Sequence, residues 1–152
     1  MDEVFKKRHS VRSFQSREVE EDKLKEILEA IDSAPSAGNL KAREVVVVRD
    51  LETKKKLAKA AYEQNFISEA PLVLIFFCVP SRSAKKYGSR GAKLYSLQDA
   101  TIACAFAWLQ AVMLDLAGCW VGAFNETRVR KILGIKRSLR PIAILPIGYP
   151  NQ

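Results

Sequence analysis

The ten residues Ala70 to Val79, APLVLIFFCV, constrain the fold more than any other stretch of the chain. Between Pro71 and Pro80 every side chain is apolar, and most are β-branched or aromatic. Such a short, proline-bounded run reads as a strand, the strongest strand signal here. Two further runs belong with it. EVVVV, residues 44–48, is a continuous β-branched stretch and reads as a short buried strand, and PIAILPIGYP, residues 141–150, closes the chain as another. CWVGAF, residues 119–124, reads as a short extended piece.

Helical periodicity fills the intervals. Asp2 is placed to cap a short first helix carrying Val4 and Phe5. VEEDKLKEILEAIDSA puts Leu24, Ile27, Leu28 and Ile31 on one face, with Pro35 ending the helix and Gly38 and Asn39 as turn residues beyond it. LETKKKLAKAAYEQ returns to helix with its basic residues outward. PSRSAKKYGSRGA reads as a polar loop. From about Tyr95 to Leu116 a long helix is apolar on nearly all faces, which implies burial all round, part of it against a second subunit. Gly118 is expected to end that helix as a left-handed cap, and NETRVRKILG reads as a capped helix starting at Asn125. This order is α+β, a mainly antiparallel central sheet flanked by helices with a long buried central helix, rather than a regular βαβ alternation.

The 152 residues fit one domain, 1–152, and a chain of that size buries about 68–70% of its unfolded surface. Hydrophobic residues at 48% build such a core without disulfides or a metal. Cys78, Cys104 and Cys119 are an odd number, with no CxxC pair, and read as buried thiols of a reducing cytosol. No leader-like segment opens the sequence, and Thr101 to Leu114 is shorter than the roughly 20 apolar residues that a membrane span needs. A soluble, cytoplasmic protein is expected. The formal net charge of +8 points to an anionic partner, leaving nucleic acid, a phosphorylated cofactor and plain solubility open.

Several chemistries are excluded by motif. Neither G-x-G-x-x-G after a strand nor a phosphate-binding G-x-x-x-x-G-K-[ST] is present. One histidine and scattered cysteines make no zinc site, and His9 beside Ser10 on extended backbone cannot form a nucleophile pair, because adjacent side chains diverge. If the protein is an enzyme, a bound cofactor carries the chemistry.

KRHSVRSF, residues 7–14, then stands out. On extended backbone Arg8, Ser10 and Arg12 share a side; on a helix Arg8 and Arg12 are neighbours at i and i+4. In either case two guanidinium groups and a hydroxyl converge on one small anion. APSAGNLKAREVVVV offers a serine-containing loop with Asn39 suited to a ring rich in carbonyls and nitrogens. DLAGCWVGAF offers Gly122, where backbone can approach a flat ligand.

In this order the stretches resemble the nitroreductase family of FMN-dependent NAD(P)H oxidoreductases. Arg8-His9-Ser10-Val11-Arg12 is similar to the family's R-[RH]-S-x-[RK], and Ala34, Pro35, Ser36 and Asn39 to its [AS]-P-S-x-x-N loop. Ala117, Gly118, Trp120, Val121 and Gly122 are similar to its glycine-rich turn, and Leu145 to Pro150 to its closing strand. The resemblance implies that Arg8 and Ser10 bind the FMN phosphate with His9 beside it, and that Arg12 reaches the pyrimidine end of the flavin. It implies that Pro35, Ser36 and Asn39 come from the other subunit of a homodimer, with FMN at the interface. Gly122 and Ala123 pass near flavin N5 and O4, and Gln64 or Asn65 adds a ring contact. It further implies ping-pong transfer of hydride from NADH or NADPH to a nitroaromatic, quinone or similar electron-poor aromatic, with no side-chain acid or base. Departures from the pattern are Lys41 and Arg43 where the family usually has Gln and Trp, and an end at Gln152 where members continue into a basic arm, which implies a short form with an open flavin site. The rival readings are a flavin-binding protein without reductase turnover, and a nucleic-acid-binding domain built on the basic run RVRKILGIKRSLR.

Overall fold

The computed structural model describes residues 1–152. In chain order its helices are α1 (Glu3–Lys7), α2 (Glu21–Ser33), α3 (Leu51–Ala60), α4 (Phe66–Glu69), α5 (Pro80–Arg90), α6 (Ser96–Met113) and α7 (Glu126–Leu133). Its strands are β1 (Arg43–Val48), β2 (Leu72–Cys78), β3 (Ala117–Gly118) and β4 (Arg140–Gly148), which form one antiparallel sheet in the order β1-β2-β4-β3.

Strand β2, the proline-bounded apolar run, is central, and its residues are at most 1% exposed. It is continuously apolar because both of its faces are covered. Leu72, Leu74 and Phe76 pack with α2 and α6, while Val73, Ile75 and Phe77 face the layer of α3, α4 and α7. The two sides of the sheet therefore carry two hydrophobic clusters.

Several expectations require correction. EVVVV is an edge strand: Val47 is exposed and Val45 and Val46 are only half-buried, because β1 has a partner on one side alone. PSRSAKKYGSRGA is helical, α5 followed by a turn of π-helix over Gly91–Tyr95; Pro80 sits in its first turn, where a missing N–H costs nothing. Asp2 stands at the N-cap of α1 but accepts no amide through its side chain. On α3, Lys54 points inward and donates to the carbonyl of Ala70 at 2.8 Å. The left-handed residue after α6 is Asp115, with φ 62°, not Gly118. Gly118 is instead needed for closeness, since a Cβ there would lie 3.0 Å from the carbonyl of Pro146 and 3.4 Å from the Trp108 indole.

Helix α7 starts where the sequence placed it. The Asn125 side chain accepts from the amide of Arg128 at 2.9 Å, Val129 points into the core, and Arg140 pairs with Glu126 at 3.0 Å. The basic run is thus an ordinary amphipathic helix and its exit. Helix α6 buries Ala100, Ala103, Cys104, Ala107, Trp108 and Ala111 against the sheet and α2 but leaves Phe106 and Met113 exposed. No helix is long and apolar enough to cross a membrane. All three cysteines are buried, free thiols, and burial holds Cys104 well above the usual thiol range.

Candidate functional site

Residues 8–15 run extended beside the sheet, and both of their flanks are pinned. On one side the amide of Val11 donates to the carbonyl of Gly118 at 3.0 Å and Ser10 bridges Gly118 in parallel. On the other, the amide of Gln15 donates to Tyr149 at 2.8 Å, Asn151 donates back to Ser13 at 3.1 Å, and Phe14 bridges Pro150. The closing GYP segment is therefore the clip that holds the cationic segment. Tyr149 is itself fixed: its hydroxyl donates to the Glu20 carboxylate at 2.6 Å and accepts from Lys23 Nζ at 2.9 Å. That hydroxyl, more than the nearby charges, holds Glu20 below the usual carboxylate range and Lys23 above the usual lysine range.

On this scaffold the Arg8 guanidinium lies over the Trp108 ring, 4.6 Å from its centroid. His9 is exposed, its Nδ1 2.9 Å from the carbonyl of Lys7. Ser10 and Arg12 are exposed. Neither Arg8 nor Arg12 enters an ion pair with any carboxylate. Beside Gly118 the indole Nε1 of Trp108 is buried with no hydrogen-bond partner.

A second group forms near the start of α7. Gln64 Nε2 donates to the carbonyl of Ala123 at 3.0 Å, and the amide of Asn125 donates to Ala60 at 2.8 Å. This ties Gln64 to the exposed Gly122–Ala123 segment, whose two amides make no hydrogen bond within the chain, while Asn65 is exposed and its carbonyl accepts from Ser68. Val121, just before it, exchanges backbone bonds with Ile144 of β4.

The Pro35–Asn39 loop lies elsewhere. Pro35 and Asn39 are exposed, the hydroxyl of Ser36 accepts from the amide of Lys41 at 3.0 Å, and the loop rests on Asp99 in the first turns of α6. Trp108, under Arg8, is nine residues further along that helix, about 13.5 Å at 1.5 Å per residue. One chain therefore places the loop and the cationic segment toward opposite ends of α6 and does not bring them together.

Sequence reasoning missed Trp108, whose contact with Arg8 spans a hundred residues and has no local signature. It also missed Asp99, although a lone carboxylate inside an otherwise apolar helix was a signal available to it.

The nitroreductase family model matches residues 5–88 and 66–149, and the chain belongs to that family. It is 33% identical to a protein of Thermus thermophilus named NADH dehydrogenase, over 96% of this chain and 84% of the relative. It is 31% identical to a Bacillus subtilis protein named FMN reductase (NAD(P)H), over 99% of this chain and 67% of that one. Among solved structures, an FMN-dependent nitroreductase from Clostridium difficile superposes with a TM-score of 0.88 at 28% identity, covering 100% of this chain and 88% of the other. The α+β architecture read from the sequence is that of this neighbour.

Proposed function

We propose that the chain forms one unit, residues 1–152, of a homodimeric FMN-dependent oxidoreductase that moves hydride from NADH or NADPH to a nitroaromatic, quinone or similar electron-poor aromatic in ping-pong order. Membership of the nitroreductase family and the names of the relatives support the flavin and the nicotinamide reductant. The observation that carries the assignment of residues is the doubly pinned segment with Arg8, Ser10 and Arg12, cationic and without a carboxylate partner.

The residues fit FMN. Arg8 and Ser10 supply a guanidinium fork and a hydroxyl for the phosphate, with His9 beside them; such charge-assisted bonds contribute about 1.5–3 kcal/mol each. Arg12, exposed on the same extended segment, supplies a positive charge for the pyrimidine end. The free amides of Gly122 and Ala123 supply donors, and Gln64 fixes that backbone through the carbonyl of Ala123. When bound, the flavin supplies the hydride acceptor and donor, and the chain supplies binding and electrostatics.

The split between the loop and the cationic segment supports a site shared by two chains. The exposed Phe106 and Met113 on α6, which with Glu29, Ala30 and Leu109 border a groove of about 500 Å³ between α2 and α6, support that face as the contact. In this arrangement Pro35, Ser36 and Asn39 of one subunit complete the site of the other.

The test is the spectrum. Purified protein reconstituted with FMN should be yellow and should bleach anaerobically with NADH or NADPH, then recover its colour on adding a quinone. Yellow protein that neither nicotinamide bleaches indicates a flavin-binding protein without turnover. Colourless protein that cannot be reconstituted rejects the proposal.

A further inference from the structure

The turn between α2 and β1 is the most contorted stretch of the chain. Gly38, Asn39 and Lys41 take φ of 61°, 56° and 48°; glycine and asparagine accept this region, whereas the lysine side chain disfavours it. Such a turn persists only if it is held from outside, and here the holding groups are two buried charges.

Arg43 is 6% exposed and Asp99 is 1% exposed. The guanidinium donates through Nη2 to the carbonyls of Ile31 and Ala34, at 2.9 and 2.8 Å, and through Nη1 to Pro35 at 3.2 Å. It thus grips the backbone as it leaves α2 and enters the loop. The carboxylate accepts from the amides of Ala37 at 3.2 Å and Ala42 at 3.0 Å, and so grips the loop inside and where it leaves. The two charges form no direct ion pair; Arg43 Nη1 donates to the backbone carbonyl of Asp99 at 3.5 Å, and the loop backbone links the two side chains. Burial pushes the Arg43 pKa down, while Asp99 and Asp32 push it back up. Removing either charge strands the other in the interior, which is strongly unfavourable. Helix α5 closes the outside: Arg82 donates to the carbonyl of Lys41 at 2.8 Å, and Tyr87 packs over Gly38, where a Cβ would fall 2.5 Å from its hydroxyl.

We infer that Arg43 and Asp99 are positioning residues that pre-form the Ser36–Asn39 loop for the flavin before any flavin binds. The inference rests on the reading that this loop contacts FMN. The guanidinium fork of Arg43 ties down the carbonyls of Ile31, Ala34 and Pro35 together, three acceptors that a single-donor side chain could not serve. A loop ordered in advance does not charge its ordering entropy against ligand affinity.

Hydrogen exchange on the apo protein tests this without a mutation. The amides of Ala37 and Ala42 should be protected before FMN is added and gain little on adding it; protection that arises only with FMN overturns the inference. Three variants then read the function. Asp99→Asn and Arg43→Lys, checked as folded by circular dichroism and urea titration, should raise the FMN Kd tenfold or more and speed exchange over residues 36–42. Asn39→Ala should raise the Kd with exchange elsewhere unchanged. If Asn39→Ala weakens FMN while folded Asp99→Asn and Arg43→Lys bind it normally, the positioning role is wrong. If none of the three alters the Kd although exchange quickens in the first two, the loop does not meet the flavin and the underlying reading fails instead.

Discussion

Replacing Arg8 and Ser10 together by alanine isolates what the N-terminal segment contributes. The change deletes two donor groups, each expected to make a charge-assisted hydrogen bond worth about 1.5–3 kcal/mol. The site is solvent-accessible and Arg12 remains, so the lower end applies. Two bonds at that end total about 3 kcal/mol, and at about 1.4 kcal/mol per decade FMN binding should weaken by about a hundredfold. The fold should tolerate the change. The segment is held by backbone bonds from Val11, Gln15 and Asn151 that neither substitution touches. Truncating Arg8 also removes the guanidinium from the face of Trp108, an interaction worth about 0.5–1 kcal/mol at a partly exposed position. Against a total stability of about 5–15 kcal/mol that is minor, and for a chain of this length it corresponds to a melting shift of about 1–4 °C. Quenching of flavin fluorescence on titrating apo-protein measures the Kd, and a thermal melt of the same sample controls for folding. A Kd within about threefold of the parent, with the fold intact in the melt, places the phosphate elsewhere and refutes the reasoning.

Other perturbations act on neighbouring parts of the same scaffold. Trp108→Phe removes a buried N–H that has no partner, so urea stability should stay level or rise slightly, whereas Trp108→Ala should cost about 3–5 kcal/mol by opening a cavity and should also weaken FMN by freeing Arg8. Lys54 is buried and its pKa is lowered from 10.5 by desolvation, so in the window below 10.5 the unfolded chain holds a proton that the folded chain releases. Its contribution to stability must therefore rise with pH through that window, and the difference in unfolding free energy between wild type and Lys54→Met should change in that sense between pH 8 and pH 10. Taking this difference removes the opposing effect of the buried thiols, and a pH-independent difference contradicts the assignment. Met113→Glu puts a charge on the exposed stripe of α6; if the proposed homodimer meets there, size-exclusion chromatography with light scattering should show a dimer for the parent, a shift to monomer for the variant and a loss of bound FMN, and a mass the same in both rejects this face as the contact.

How legible the molecule was in its sequence depended on the range of the interactions concerned. Helix α2 and the capped start of α7 were readable because Leu24, Ile27 and Ile31, or Asn125 with Arg128, satisfy each other within one or two turns. Strand β2 was readable because burial on both faces leaves no room for a polar side chain. That EVVVV sits at an edge was not, since strand order is decided by the pairing of β2 with β4, far apart in the chain. The polar stretch after Pro80 concealed a helix because polarity is also what an exposed helix face shows. Asp115 took the left-handed turn expected of Gly118, and only the approach of Pro146 and Trp108 explains why position 118 holds glycine. The candidate site was visible in the sequence only as separate motifs. What fixes each one, GYP for the cationic segment and Arg43 with Asp99 for the loop, is long-range and emerged only from the fold.

The separation of those motifs along α6 leads to a test that does not depend on knowing where the flavin lies. Suppose each site takes its cationic segment from one chain and its Ser36–Asn39 loop from the other. A chain carrying Arg8→Ala with Ser10→Ala has a damaged segment and a sound loop; a chain carrying Asn39→Ala has the reverse. Each homodimer then has two damaged sites. In a mixed dimer the sound segment of the second chain meets the sound loop of the first, so one site is intact and the other carries both defects. Differently tagged chains, co-expressed and isolated as the mixed species, should bind one FMN per dimer with wild-type affinity. If every site were built within a single chain, the mixed dimer would contain none that is intact, and tight binding would be absent. The roughly 13.5 Å along the helix axis between the levels of Asp99 and Trp108 favours the first outcome, and a mixed dimer without tight flavin binding would rule out the shared site.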